Sequence, residues 1–173
     1  MPDLGALQEK LDALSEEDLE RVFTLFRASL REAEASYLNT CVRCGLCAES
    51  CHYYLSERVP ENIPAHKLEQ VASAFRRRLT LLGRLAPALV GARDWDKALA
   101  AAWIDAVFGR CTLCGRCSLN CTVGVHIPSV LRAARGALTA VGLIPRDLLV
   151  TVTMALETGN NMGISRQDFL ETL

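Results

Sequence analysis

Aromatic residues are scarce in this chain, 6% of 173, and its three histidines, His52, His66 and His126, are too scattered to share a site. No G-x-G-x-x-G or phosphate-loop run occurs, and no nucleophile sits in a recognisable catalytic motif, so dinucleotide and nucleotide chemistry have no anchor here. Charge of one sign is missing too. A formal net charge of −1 leaves neither half basic enough for nucleic acid. The longest apolar stretches, Leu79 to Val90 and Ala98 to Phe108, fall short of the roughly 20 residues needed to span a bilayer and are interrupted by Arg84 and Asp105. No transmembrane segment of its own is therefore expected. The opening Met1-Pro2-Asp3-Leu4-Gly5 lacks the basic-then-apolar order of a secretory leader, which places the expected location in the cytoplasm, with any membrane association made through a partner.

Cysteine is the residue the chain does have. All eight fall into two copies of one spacing, Cys41-x2-Cys44-x2-Cys47-x3-Cys51 and Cys111-x2-Cys114-x2-Cys117-x3-Cys121. That run holds cubane iron–sulfur clusters, because three thiolates two residues apart let one tight loop reach three corners of a cube. Two runs predict two [4Fe–4S] clusters. In two-cluster ferredoxins the last cysteine of each run ligates the other cluster. Carried over, that pattern assigns Cys41, Cys44, Cys47 and Cys121 to one cluster and Cys111, Cys114, Cys117 and Cys51 to the other. Zinc is the rival ligand, but a tetrahedral zinc site would leave the third cysteine of each run idle. A disulfide framework belongs to short secreted chains, and His52 overlaps a complete run without forming a haem-attachment signal.

Apolar periodicity predicts helices almost throughout. Ser15 with Glu16, Glu17 and Asp18 reads as an N-cap and acidic first turn, followed by Leu19, Val22, Phe23, Phe26, Leu30, Ala33 and Tyr37 at three- and four-residue steps, a helix over about 16–38. Ile63-Pro64 opens a second, carrying Leu68, Val71, Ala72, Phe75, Leu79 and Leu82 on one face and Arg76, Arg77 and Arg78 in its last turns. Residues 82–91, with Gly83, Pro87 and Gly91, read as a connection, after which Trp95, Leu99, Trp103 and Val107 mark a helix ending at Gly109. No stretch alternates as a strand would. The two runs align without gaps, each followed by an Ile-Pro helix start, at Ile63-Pro64 and Ile127-Pro128. Gly45 and Gly115 occupy matching positions, either to let the backbone approach a cube or to permit a tight turn.

With two runs separated by 59 mostly helical residues, and Gly124-Val125-His126-Ile127-Pro128 after the second, residues 41–136 resemble the α-helical ferredoxin family. The resemblance is to the small iron–sulfur subunit of heterodisulfide reductases and to the N-terminal dicluster domain of related iron–sulfur oxidoreductases. Two departures stand out: where the family run continues with Pro, this chain has His52 and Thr122. The resemblance implies an all-α fold with two pseudo-repeated cluster-binding loops. It divides the chain into an N-terminal helical extension (1–38), a dicluster domain (39–145) and a C-terminal helical tail (146–173). It also implies a subunit that passes electrons from a flavin- or cluster-containing donor to a catalytic cysteine-rich or quinone-linked acceptor in a larger complex. Residues 157–165 look like the segment leading out of the cluster domain in larger members, or like a plain surface turn.

Eight cysteines for eight irons leave no iron open for substrate, so no catalytic residue is assigned. The alternative function is a structural cluster- or zinc-binding module without redox turnover. Arg43, Arg110 and Arg116, beside ligands in sequence, would raise the potentials if their charge stays near the cubes. Residues 1–40 carry nine acidic and four basic side chains, net −5, and residues 52–110 nine basic and six acidic, net +3. Arg76, Arg77, Arg78 and Arg84 are accordingly expected either to form a basic docking face or to be a solvated helix surface.

Overall fold

A computed structural model describes residues 4–171; residues 1–3 of the expected extension and 172–173 of the expected tail lie outside the described residues. Among the described residues every regular element is helical. Helix α1 (Leu4–Ala13) leads into α2 (Glu16–Ser29), which starts where the sequence places it. Ser15 Oγ accepts the Asp18 amide at 3.1 Å, satisfying one of the first-turn donors that no helical carbonyl can reach. Leu19, Val22, Phe23 and Phe26 are buried, and each such side chain gains roughly 1.5–3 kcal/mol over exposure. The apolar stripe therefore outweighs the cap in deciding how α2 sits.

The expected helix over 16–38 is two helices. Leu30 and Arg31 are extended, and α3 (Glu32–Thr40) restarts after them because the Glu34 carboxylate accepts the Arg31 amide at 3.2 Å and its guanidinium at 2.8 Å. The restart rotates the face. Ala33 turns outward while Glu34 and Leu38 go in, which lets α3 pack on both α5 (Pro64–Leu79) and α9 (Ile127–Ala140). Between α3 and α5 lie the first cysteine run, a short α4 (His52–Glu57) and a 3₁₀ turn, Pro60–Asn62.

Helices α5 and α9 form the centre, each entered through its Ile-Pro start, with proline in a first turn where a missing N–H costs nothing. Residues 82–91 are less of a loop than expected. Thr80 caps a short α6 (Leu81–Leu85) by accepting the Gly83 amide at 3.0 Å, and Pro87–Val90 adds a 3₁₀ turn. At Gly83 a Cβ would stand 2.1 Å from the Arg76 carbonyl oxygen, so only glycine permits this chain reversal. Helix α7 (Lys97–Ile104), capped by Asp96, runs into a π-turn over Asp105–Gly109 that delivers the chain to Cys111.

Both tryptophans gather with Phe23 and Phe26 in one place. Trp103 lies 4.9 Å from Phe26, edge to face, and 4.6 Å from Trp95, and the two indole N–H groups donate to the carbonyls of Gln70 and Leu19. Leu7, Leu11, Val22 and Phe26 share this core with Leu68, Val71, Leu131 and Leu138. Helices α10 (Arg146–Thr158) and α11 (Arg166–Glu171), beyond the short α8 (Arg116–Leu119) and α9, bury no residue. No helix among the described residues is long and apolar enough to cross a membrane.

Candidate metal centres

The sequence repeat is also a conformational repeat. Arg43 and Leu113 take φ of 56° and 58°, and two residues on Gly45 and Gly115 take 82° and 81°. Each glycine then starts a helical turn: Ala48 N–H donates to the Gly45 carbonyl at 2.9 Å, and Ser118 N–H to the Gly115 carbonyl at 3.0 Å. The turn closes identically, with the fourth cysteine donating its amide three residues back, Cys51 to Ala48 and Cys121 to Ser118. A Cβ on Gly45 or Gly115 would meet nothing within 4 Å, so these positions are demanded by left-handed backbone and not by crowding. His52 and Thr122 do not prevent the two loops from matching.

Loop pairing across the halves decides which cysteines meet. One cavity is lined by Cys41, Cys44 and Cys47 from the first run together with Cys121 from the second, and its walls include Ala65, Val123, Val125 and Ile127. On the other side Cys51 is carried away from its own run: its thiol donates to the Asn62 carbonyl at 3.5 Å and meets Lys67 Nζ at 3.6 Å. The same Nζ donates to the carbonyl of Arg110, the residue before Cys111. Cys47 and Cys117, the third cysteines of the two runs, are near enough for Cys47 to push the Cys117 thiol up further.

Burial without a metal disfavours the thiolate form at three of the cysteines. Burial pushes the Cys47, Cys111 and Cys117 thiols up, Cys117 to about 11. At Cys111 a backbone amide opposes this, Leu113 N–H donating to its Sγ at 3.3 Å; Val125 N–H donates to Cys121 Sγ at the same distance. All eight cysteines are free. No three of the His, Cys, Asp and Glu side chains among the described residues are gathered tightly enough for a single metal ion. The donor set fits a cubane instead, which spreads four thiolates over four irons. The buried Ser118 hydroxyl lies beside Cys117, where its hydrogen bonding to the sulfur works against the effect of burial.

Of the expected arginines, Arg43 pairs with Glu69 at 2.9 Å, Arg110 pairs with Asp105 and donates to Asn62 Oδ1 at 3.0 Å, and Arg116 is exposed. The histidines remain apart: His52 lies against Tyr53 and His66 bonds Gln70. The arginines of the expected basic surface are largely engaged within the chain. Arg76 is buried against Glu69, Arg77 pairs with Asp94 at 2.7 Å, Arg78 holds both oxygens of Glu20, and Arg84 donates to the Arg78 carbonyl at 2.9 Å. Three residues escape the sequence reading: Lys67, Asn62 and Arg135, whose guanidinium donates to the Val107 carbonyl at 2.5 Å and to the Cys111 carbonyl. Only Lys67 left a signal, as a lone cation in the otherwise apolar stripe Ile63, Lys67, Val71, Ala74.

The 4Fe-4S dicluster domain family matches residues 37–125. The chain is 35% identical over 147 residues to the Hdr-like menaquinol oxidoreductase iron-sulfur subunit of Archaeoglobus profundus, covering 84% of this chain and 26% of that protein. It is 33% identical over 128 residues to the Hdr-like menaquinol oxidoreductase iron-sulfur subunit 2 of Archaeoglobus fulgidus, covering 74% and 23%. The chain thus spans about a quarter of the length of these curated relatives. No solved structure matches it.

Proposed function

The chain belongs to the family of 4Fe-4S dicluster domains, the domain type that carries two [4Fe–4S] clusters, and from that premise we propose that it relays single electrons inside a larger oxidoreductase complex. The observation that carries the reading is the cavity lined by three cysteines of one run and the fourth of the other. We assign Cys41, Cys44, Cys47 and Cys121 to the first cluster and Cys111, Cys114, Cys117 and Cys51 to the second. The unit built around them is residues 39–145, with 1–38 as its extension and 146–173 as its tail.

When bound, a cubane takes up and gives back one electron with little change in shape. The chain's own residues do the rest. Leu113 and Val125 amides hold two ligand sulfurs in place, and Ala65, Val125 and Ile127 keep water from the first centre. The two cysteine loops are joined by the hydrogen bond from Asn120 to Ser50, which would keep the two centres close, as a relay needs. The two relatives are named as iron-sulfur subunits of Hdr-like menaquinol oxidoreductases. That supports an assembly in which a flavin- or cluster-containing donor and a cysteine-rich or quinone-linked acceptor lie on either side of this chain. Its place would be the cytoplasmic side, reaching the membrane through a partner.

Anaerobic iron and acid-labile sulfide analysis, with EPR spectra during stepwise reduction, tests the reading. About eight irons and eight sulfides per chain with two interacting one-electron signals are expected. About four irons would show one run vacant, and zinc without sulfide would leave a structural module and end the electron-transfer proposal.

A further inference from the structure

Lys67 is the most deeply buried cation among the described residues, 2% exposed in the first turn of α5. Its ammonium meets the Cys51 sulfur at 3.6 Å, the Arg110 carbonyl, and the Tyr53 ring with its centroid at 5.2 Å. No carboxylate pairs with it. A buried charge is costly unless an opposite charge answers it, and the anionic groups available here are ligand thiolates, Cys51 in contact and Cys111 close by. Of the other charged groups around this centre, Arg110 is paired with Asp105, whereas Arg135, over the ring of Phe108, donates only to two backbone carbonyls and adds a second cation on the same side.

The pseudo-repeat shows that this charge is one-sided. Counting from the two Ile-Pro starts, Lys67 corresponds to Leu131 and Arg135 to Val71, both fully buried and apolar. The first centre thus has no buried cation in the matching positions and none in contact with a ligand sulfur; beside Cys41, Arg43 and the buried Arg76 share the single carboxylate of Glu69. Water does not separate the two centres either. Each proposed set of four contains one exposed, one buried and two intermediate cysteines.

Building on the dicluster assignment above, we infer that Lys67 makes the two centres unequal, holding the one bound by Cys51, Cys111, Cys114 and Cys117 at the higher potential so that it is reduced first. The reason is electrostatic: a fixed ammonium in a poorly screened interior favours the form with one more negative charge. Cys51 links Lys67 to the centre, so Lys67 acts as a positioning and tuning residue and takes no part in ligation.

The test is an EPR-monitored redox titration of the anaerobically loaded protein at pH 7. Wild type should show two separated couples. In Lys67→Gln the higher couple should fall, with the reduced-to-oxidised ratio about tenfold lower at the wild-type midpoint, equivalent to about 59 mV for one electron. The lower couple should stay in place, and Lys67→Arg should restore the higher one. Arg135→Gln, which touches the same centre through the Cys111 carbonyl, should lower the same couple and serves if Lys67→Gln fails to load. Eight irons with both couples unmoved, or with both moved equally, would overturn the inference while leaving the relay intact. If neither variant loads, the wild-type titration decides, and coincident midpoints overturn it. A wild-type protein with about four irons would instead refute the dicluster assignment and this inference with it.

Discussion

The Asn120 side-chain amide donates to the Ser50 hydroxyl, joining the residues that immediately precede the fourth cysteine of each run. Ser50 and Asn120 are equivalent in the repeat, so the contact lies where the two halves meet as a pseudo-symmetric pair. At that point Cys51 and Cys121 turn away from their own loops. That placement supports the proposed crossover of ligands.

Crossover makes a prediction about pairs of substitutions. Cys51→Ser and Cys114→Ser should each cost about four of about eight irons, and the double variant should lose no more than either alone, since both ligands serve one cluster. Cys51→Ser combined with Cys44→Ser should lose nearly all. Iron analysis giving the reverse pattern would mean that each run closes on its own cluster.

The left-handed loop positions predict a backbone penalty. Gly45→Ala and Gly115→Ala should each destabilise the loaded protein by roughly 1–2 kcal/mol, the cost of putting a Cβ on a left-handed residue, because both glycines have φ near 80° with open space around them. Thermal unfolding of the loaded protein measures this. No change in midpoint would show that the loop relaxes out of that conformation.

Arg78 should behave as a stabilising residue and not as a docking one. It holds both carboxylate oxygens of Glu20 and stacks on Phe23 at 4.7 Å, tying α5 to α2. Arg78→Ala should lower stability by about 1 kcal/mol, the scale of a partly exposed ion pair with a cation–π contact. Electron transfer to a partner should keep its salt dependence in the variant. A changed salt profile with unchanged stability would return Arg78 to the docking role.

The break between α2 and α3 predicts a pH dependence. Hydrogen bonding from Arg31 holds the Glu34 carboxyl below its ordinary range. The stabilisation is therefore complete above the unfolded value, about 4.3, and is lost as pH falls through the lower folded value. The melting temperature of wild type should exceed that of Glu34→Gln at pH 7, and the gap should close on acidification below about pH 4.3. A gap that persists at the lowest pH would remove the ion pair as its cause.

The two clusters, the repeat, the Ile-Pro helix starts and the all-helical class were legible in the sequence, because each rests on local chemistry: cysteine spacing, a fixed proline φ, and periodicity on one helix. The end of α2 was not. The apolar stripe runs on through Leu30 and Tyr37, and only the return of Glu34 to the Arg31 amide, with α5 and α9 waiting for the new face, makes a break more favourable than a longer helix. The arginines after Phe75 read as a surface because their partners, Glu20 and Asp94, lie 58 and 17 positions away from Arg78 and Arg77. Lys67 is the clearest case of what only the tertiary structure decided. Sequence put a cation in an apolar stripe, but its burial against Cys51 and the Arg110 carbonyl exists only once the two halves close on each other, since those groups come from separate segments that packing alone brings together.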